Sequence, residues 1–331
     1  MANRLDQQVA IITGASRGIG LAIAQAYAAE GASLCLIATD VARLSAVKDG
    51  LDLPTERIMT IGLDVTDRDA CFAAVAQVEQ RFGRVDVLVN NAGVYRGKSF
   101  LDYAAQDFQD MLDVNLFGVL HFMQAVLPGM QARRHGRIVN MASTAGKWGS
   151  RNQSAYNVSK HAVVGLTRCV ALEASPHNVT VNAICPGFIQ TDMVEELKAQ
   201  VAHSSGMTGE ELVKAALTRV PLGRILNPTE IAGLAVYLGS SESSGMTGQS
   251  IHVDGGELLL VAANAGRVAA PVIAGRGEGV TIRILSPAEA VGEHEVYDLT
   301  FGPGGALESE PHSPGCREHL TVVEGALRVR S

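Results

Sequence analysis

Short apolar runs alternate with segments of helical period along most of the chain. Gln8–Thr13 (QVAIIT) has strand character, and Ile19–Glu30 carries Ala and Leu at helical spacing. Ser33–Ala38 (SLCLIA) is a second strand, followed by a helix from Val41, and residues 57–62 form a third. Residues 69–82 read as a helix, 85–89 (VDVLV) as the fourth strand, and 105–131 as one long helix. Strand 136–141 (GRIVNM), helix 155–174, strand 179–184, helix 229–238 and strand 249–253 complete the series. Strands that are apolar throughout have both faces covered, which marks a parallel sheet flanked by helices. Alternating β and α segments then give an α/β, doubly wound architecture. The pattern changes near Glu257: residues 262–279 are rich in Ala and Gly, and strand-like stretches at 280–285 and 295–301 follow. Three regions are therefore expected: 1–257, a linker at 258–278, and a small all-β segment at 279–331.

Composition narrows the function classes. The net charge of −7 over 331 residues argues against a nucleic-acid surface. The densest basic group, Arg133, Arg134 and Arg137, reads as a solvated helix end. Five cysteines, far apart and without a CxxC pair, predict neither a disulfide framework nor a zinc site. No signal core precedes the first strand, and no apolar run is read as a membrane span, so a cytoplasmic protein without a membrane partner is expected.

The turn after the first strand is Thr13-Gly14-Ala15-Ser16-Arg17-Gly18-Ile19-Gly20. Glycines there let the backbone approach a pyrophosphate, and the free N–H groups at the following helix start favour an anion. Tyr156 and Lys160, at i and i+4, share a helix face. A phenol titrates near 10, and an adjacent ammonium favours its ionised form. Bringing that value to neutrality requires about 4 kcal/mol of differential interaction. Such a hydroxyl suits general acid–base work. Taken singly these residues are an ordinary helix-surface pair; their company decides otherwise.

The glycine spacing, G-x-x-x-G-x-G, resembles that of the short-chain dehydrogenase/reductase family. The resemblance continues through about residue 256, in Asn90-Asn91-Ala92-Gly93, Asn115, Ser143, Tyr156-x-x-x-Lys160 and Pro186-Gly187. It implies a doubly wound parallel-sheet Rossmann fold, a nicotinamide cofactor, and a catalytic set of Asn115, Ser143, Tyr156 and Lys160. In that set Ser143 holds the carbonyl oxygen, Lys160 holds the nicotinamide ribose, and Asn115 joins a water relay to Lys160. It assigns cofactor contacts to Gly14, Ser16, Arg17, Gly18, Ile19, Gly20, Asp64, Val65, Asn91, Ala92, Gly93, Tyr156, Lys160, Pro186, Gly187, Ile189 and Thr191.

The family register puts the ribose-reading position at Ala38, followed by Thr39, with no carboxylate there to repel a 2′-phosphate. Arg17 is placed to pair with that phosphate. NADP(H) is therefore favoured; NAD(H) stays open, because a slip of two residues would put Asp40 in the acidic role. Residues 142–156 and 185–188 resemble 3-oxoacyl-carrier-protein reductases and polyketide ketoreductases, implying a small-molecule or acyl-carrier- or CoA-linked ketone. Met193, Val194, Leu197, Met207 and Leu212 read as an apolar lid. The resemblance also implies a homotetramer or homodimer.

The tail from Gly279 resembles the first half of a cupin barrel, in Pro303-Gly304-Gly305, His312, Glu318 and Gly325. Pro314 stands where a second metal-ligating histidine would, so no metal site is expected. A nucleotide-sensing protein on the same fold is the competing class, and the intact Ser143, Tyr156 and Lys160 count against it.

Overall fold

The computed structural model of the chain describes residues 3–192, 194, 208, 211, 213–214, 217–258, 272–274, 280–284 and 297–301. The chain divides into two compact units, Met1–Leu260 and Val261–Ser331.

The first unit is a parallel seven-stranded sheet in the order β3-β2-β1-β4-β5-β6-β7. The strands are β1 (Val9–Thr13), β2 (Ser33–Ala38), β3 (Ile58–Gly62), β4 (Val87–Asn90), β5 (Gly136–Met141), β6 (Val179–Pro186) and β7 (Ser250–Val253). The helices are α1 (Gly18–Ala29), α2 (Val41–Gly50), α3 (Arg68–Phe82), α4 (Ala105–Leu112), α5 (Gly118–Arg133), α6 (Ser154–Ala174) and α7 (Pro228–Gly239). Strand β1 shows why the run at its start is apolar at every position. Ala10 and Ile12 join the core layer that holds Ile23, Tyr27 and Ile231 of α1 and α7. Val9 and Ile11 join the opposite layer with Val75, Phe122 and Val126 of α3 and α5. A strand buried on both faces cannot alternate with polar residues.

Ala10 lies between Leu34 of β2 and Val87 of β4. The chain runs outward from β1 to β3, then returns to place β4 on the other side of β1. The C-terminal ends of β1 and β4 therefore flank a switch point, where open α/β sheets leave a crevice for ligands.

Three departures from the sequence reading have physical causes. The long helix predicted at 105–131 is interrupted by a π-helical turn, Asp113–Phe117, between α4 and α5. By length and composition alone, the stretch Ala105–Arg133 is apolar enough to cross a membrane. Here Phe122, Met123, Val126 and Met130 pack into the core layer beneath the sheet. Arg137 is not a solvated helix residue: it lies on β5, 3% exposed, and donates to the carbonyls of Gly136 and Ser240.

The second unit contains an antiparallel sheet of β8 (Val272–Ala274), β9 (Val280–Ile284) and β10 (Tyr297–Phe301), in the order β10-β9-β8. Two of its strands fall where the sequence placed them. Pro303, His312, Glu318 and Gly325 lie outside the described residues, as do Met193, Leu197, Met207 and Leu212 of the expected lid.

Candidate active site

The glycine loop follows β1 at the switch point. Gly14 has φ +65°, and a Cβ there would stand 2.9 Å from Ala92 Cα, so the loop requires glycine twice over. Asn91 locks the loop from β4: its Nδ2 donates to the carbonyls of Thr13 (3.0 Å) and Gly14 (3.1 Å). In return Thr13 Oγ1 accepts from the backbone of Asn91 and Ala92. Helix α1 starts at Gly18 with no side chain capping its amino end and no acidic residue in its first turn. By contrast, α2 and α3 are capped by Asp40 and Asp67. The first amides of α1, with Ser16 and Ile19 half-buried beside them, fit a pyrophosphate. Thr191 faces the same loop, since a Cβ on Gly18 would meet its Cγ2 at 3.3 Å. Ile189 is buried, and Pro186 ends β6.

At the adenosine end, β2 stops at Ala38, and Thr39 is exposed. Asp40 is occupied as the cap of α2, accepting from the Arg43 amide at 2.9 Å and pairing with the Arg43 guanidinium. Arg17 and Arg43 both approach Asp192, at 3.2 and 3.6 Å. Arg43 was not singled out from the sequence; its position one turn into α2 is the signal that could have found it. Asp64 is exposed and its Oδ1 accepts from the Thr66 amide, while Val65 is buried in the core.

The side chains expected to be catalytic come together near the C-terminal ends of β4 and β5. Ser143 follows β5 and caps a short 3-10 turn, with its Oγ accepting from the Ala145 amide at 3.1 Å. Tyr156 and Lys160 lie on α6, one turn apart. Burial raises the Tyr156 hydroxyl above its ordinary value of 10, and a hydrogen bond with Ser143 opposes that rise. Lys160 is buried; its Nζ donates to the Met141 carbonyl at 2.9 Å and stands 5.7 Å from the Tyr156 ring centre. Burial pulls its ammonium down to about 8. The sequence reading had Lys160, together with an oxidised nicotinamide, lower the phenol's value; burial raises it instead. Within the chain itself the opposing partner is Ser143, because the lysine's charge is directed at the end of β5.

Asn115 sits in the π turn and is fully buried. Its Oδ1 accepts from the Val94 amide at 2.8 Å; its Nδ2 donates to the Val94 carbonyl and to Ser159 Oγ, both at 3.0 Å. Its side chain is thus spent on the loop after β4 and on α6 rather than on Lys160. Gly93 lies between the two: a Cβ there would be 3.1 Å from Asn115 Oδ1 and 3.5 Å from Lys160 Nζ.

A cavity of about 120 Å³ opens beside Ser143 and Tyr156. Tyr95, whose ring meets Tyr156 edge-on at 5.1 Å, forms one side, and burial pushes its hydroxyl up to about 12. Trp148, Phe188, Arg219 and Glu257 also line it. Val194 is the one expected lid residue that lines it among the described residues. Trp148, Arg219 and Glu257 carry no motif and were not legible as site residues.

A parallel sheet with a glycine loop at its switch point, and a Ser-Tyr-Lys cluster on the adjoining strand ends, defines the class of dinucleotide-linked α/β oxidoreductases. The chain belongs to the short chain dehydrogenase family, whose model matches residues 8–202. It is 41% identical over 259 residues to a 3-oxoacyl-(acyl-carrier-protein) reductase of Thermotoga maritima, covering 77% of this chain and 100% of that one. It is 39% identical over 257 residues to galactitol 2-dehydrogenase of Agrobacterium fabrum, covering 77% of this chain and 99% of that one. Among solved structures it is similar to levodione reductase, with a TM-score of 0.72 at 32% identity over 77% of this chain and 98% of that one. The protein is an NAD(P)-dependent oxidoreductase acting on carbonyl or CH–OH groups.

Proposed function

We propose that the protein is an NADP(H)-dependent ketoreductase, converting a ketone of the 3-oxoacyl type, or a similar carbonyl, to a secondary alcohol. The observation that carries this reading is the meeting of Ser143 and Tyr156 at the mouth of the cavity, with Lys160 one turn along the same helix. Bound nicotinamide supplies the hydride that adds to the carbonyl carbon. Ser143 hydrogen-bonds the carbonyl oxygen as charge develops there. Tyr156, kept protonated by burial, gives its proton to that oxygen. Lys160, a buried amine on the same helix as Tyr156 and beside Gly93, would hold the nicotinamide ribose. Asn115 holds the loop after β4 against α6, so that the two groups keep their spacing.

NADP(H) is supported by the chemistry at the end of β2. No carboxylate occupies Ala38 or Thr39, Asp40 is engaged as a helix cap, and Arg17 and Arg43 stand close enough to share a single anion. The second reading, an NAD-linked dehydrogenase of secondary alcohols, is favoured by the carboxylate of Asp192 in that same corner, which would oppose a 2′-phosphate. Oxidation of NADPH and NADH by the purified protein, against ketones that include 3-oxoacyl thioesters, tests both. Turnover with NADPH supports the proposal, and a strong preference for NADH overturns the cofactor assignment.

The same reading takes the protein to be cytoplasmic and a homotetramer or homodimer. Its second unit, whose sequence resembles part of a cupin, serves assembly through β8 and β10, the edges of its sheet among the described residues. Removing residues 261–331 and measuring the mass in solution tests this; an unchanged oligomer contradicts it.

A further inference from the structure

The cavity lining carries polar groups that the proposed proton transfer does not use. After β7, the loop Asp254-Gly255-Gly256 turns through two glycines of positive φ, +65° and +88°, and delivers Glu257 to the cavity. Asp254 fastens this turn by accepting from the amides of Gly256 and Leu258. Glu257 is 1% exposed. Its Oε1 is 3.9 Å from Arg219 Nη2, beyond hydrogen-bond length, and its Oε2 has no hydrogen-bond partner among the described residues. The Arg219 guanidinium in turn lies 5.3 Å from the centre of the Trp148 ring. The Trp148 Nε1–H is buried and also lacks a partner among the described residues. Burial raises the Glu257 carboxyl, which Arg219 opposes.

The cavity lining therefore includes a buried acceptor and a buried donor, both without a hydrogen-bond partner among the described residues. A buried polar group is costly unless something hydrogen-bonds to it. The chemistry of the missing partner is constrained. A methylene serves neither group. A carboxylate or phosphate offers acceptors only and would face the Glu257 charge. A hydroxyl both donates and accepts, and it suits Glu257 in either protonation state.

We infer that Glu257, Trp148 and Arg219 form a specificity subsite for a hydroxyl on the substrate, so that the preferred substrate is a hydroxylated ketone, or a diol or polyol in the oxidative direction, over a plain alkyl ketone. This rests on the reading of Ser143 and Tyr156 as the groups that engage the carbonyl. It narrows which ketone they receive.

The test uses the full chain with NADPH and NADH and a series of methyl ketones bearing a hydroxyl one, two or three carbons from the carbonyl. Each is paired with the analogue in which methyl replaces hydroxyl. At the best spacing, kcat/KM for the hydroxy ketone should exceed its partner by about 100-fold, since buried polar groups left unpaired penalise the analogue. Glu257→Leu should reduce that ratio to within about tenfold, through loss on the hydroxy ketone alone. Trp148→Phe, which keeps one aromatic ring but removes the pyrrole ring with its N–H, should lower the ratio by about tenfold and provides a second readout should Glu257→Leu not fold. Equal rates within every wild-type pair overturn the subsite but leave the ketoreductase reading standing. Equal losses on both members of a pair in the variants overturn it likewise. Failure to reduce any ketone with either cofactor overturns both.

Discussion

Asn115 and Ser159 are joined by a hydrogen bond of 3.0 Å, and Ser159 passes the connection on by donating to the Tyr156 carbonyl at 2.8 Å. The π turn that holds Asn115 is thereby tied to the first turns of α6, where Tyr156 and Lys160 stand. Ser159 is fully buried, so its hydroxyl has no water to replace these partners. Ser159→Ala should destabilise the fold by about 1–3 kcal/mol, the range for a buried donor left unmatched. It should also lower kcat more than it raises the KM for the dinucleotide. Thermal melting together with steady-state kinetics checks this; a stable variant with unchanged kcat contradicts the link.

Lys160 supplies a prediction about pH. Burial lowers its ammonium from 10.5 to about 8, so the charged form is disfavoured in the fold. Between about pH 8 and 10.5 the unfolded chain binds more protons at this residue than the native one, and stability therefore rises with pH across that window. Relative to Lys160→Met, the wild-type protein should gain stability from pH 8 upward and show no relative change below it. Denaturant unfolding of both proteins at several pH values provides the comparison. In the same range the rate of ketone reduction should fall, as Lys160 loses the charge with which it would hold the nicotinamide ribose.

The cofactor assignment turns on Arg17 and Arg43, which share Asp192 at the end of the switch-point crevice. Arg43→Ala should raise the KM for NADPH by about tenfold, in keeping with loss of a charge-assisted hydrogen bond, and leave that for NADH nearly unchanged. Equal effects on the two cofactors would show that neither guanidinium reads a phosphate.

Gly93 leads to a prediction about packing. A methyl group at this position would crowd Asn115 Oδ1 at 3.1 Å and come into ordinary contact with Lys160 Nζ at 3.5 Å. Gly93→Ala should therefore reduce turnover while the protein remains folded, because the displaced group belongs to the site. Circular dichroism and kcat measured together decide it; wild-type turnover would mean that Asn115 tolerates displacement.

What the sequence made legible follows from how local each signal is. Strand β2 was bounded correctly at Ser33 and Ala38 because its buried faces demand an unbroken apolar run. The spacing of Tyr156 and Lys160 put them on one helix face, and their company with the glycine loop, Asn115 and Ser143 marked them as site residues. The π turn at Asp113–Phe117 was hidden, since one extra residue in a turn leaves the apolar pattern on either side intact. Arg137 was misplaced because a buried guanidinium is satisfied by carbonyls from distant segments, here Asn178 and Ser240. Glu257 and Trp148 meet only through the tertiary fold, more than a hundred residues apart, so no local pattern marks them.

The most direct test of the account replaces the phenol oxygen alone. Tyr156→Phe, with dinucleotide binding measured by fluorescence titration and ketone reduction by loss of NADPH absorbance, should keep the cofactor dissociation constant and lose turnover by about 10²- to 10⁴-fold, the range for a general acid. Turnover close to that of the wild-type protein, with binding intact, would contradict the assignment of Tyr156 as the proton donor.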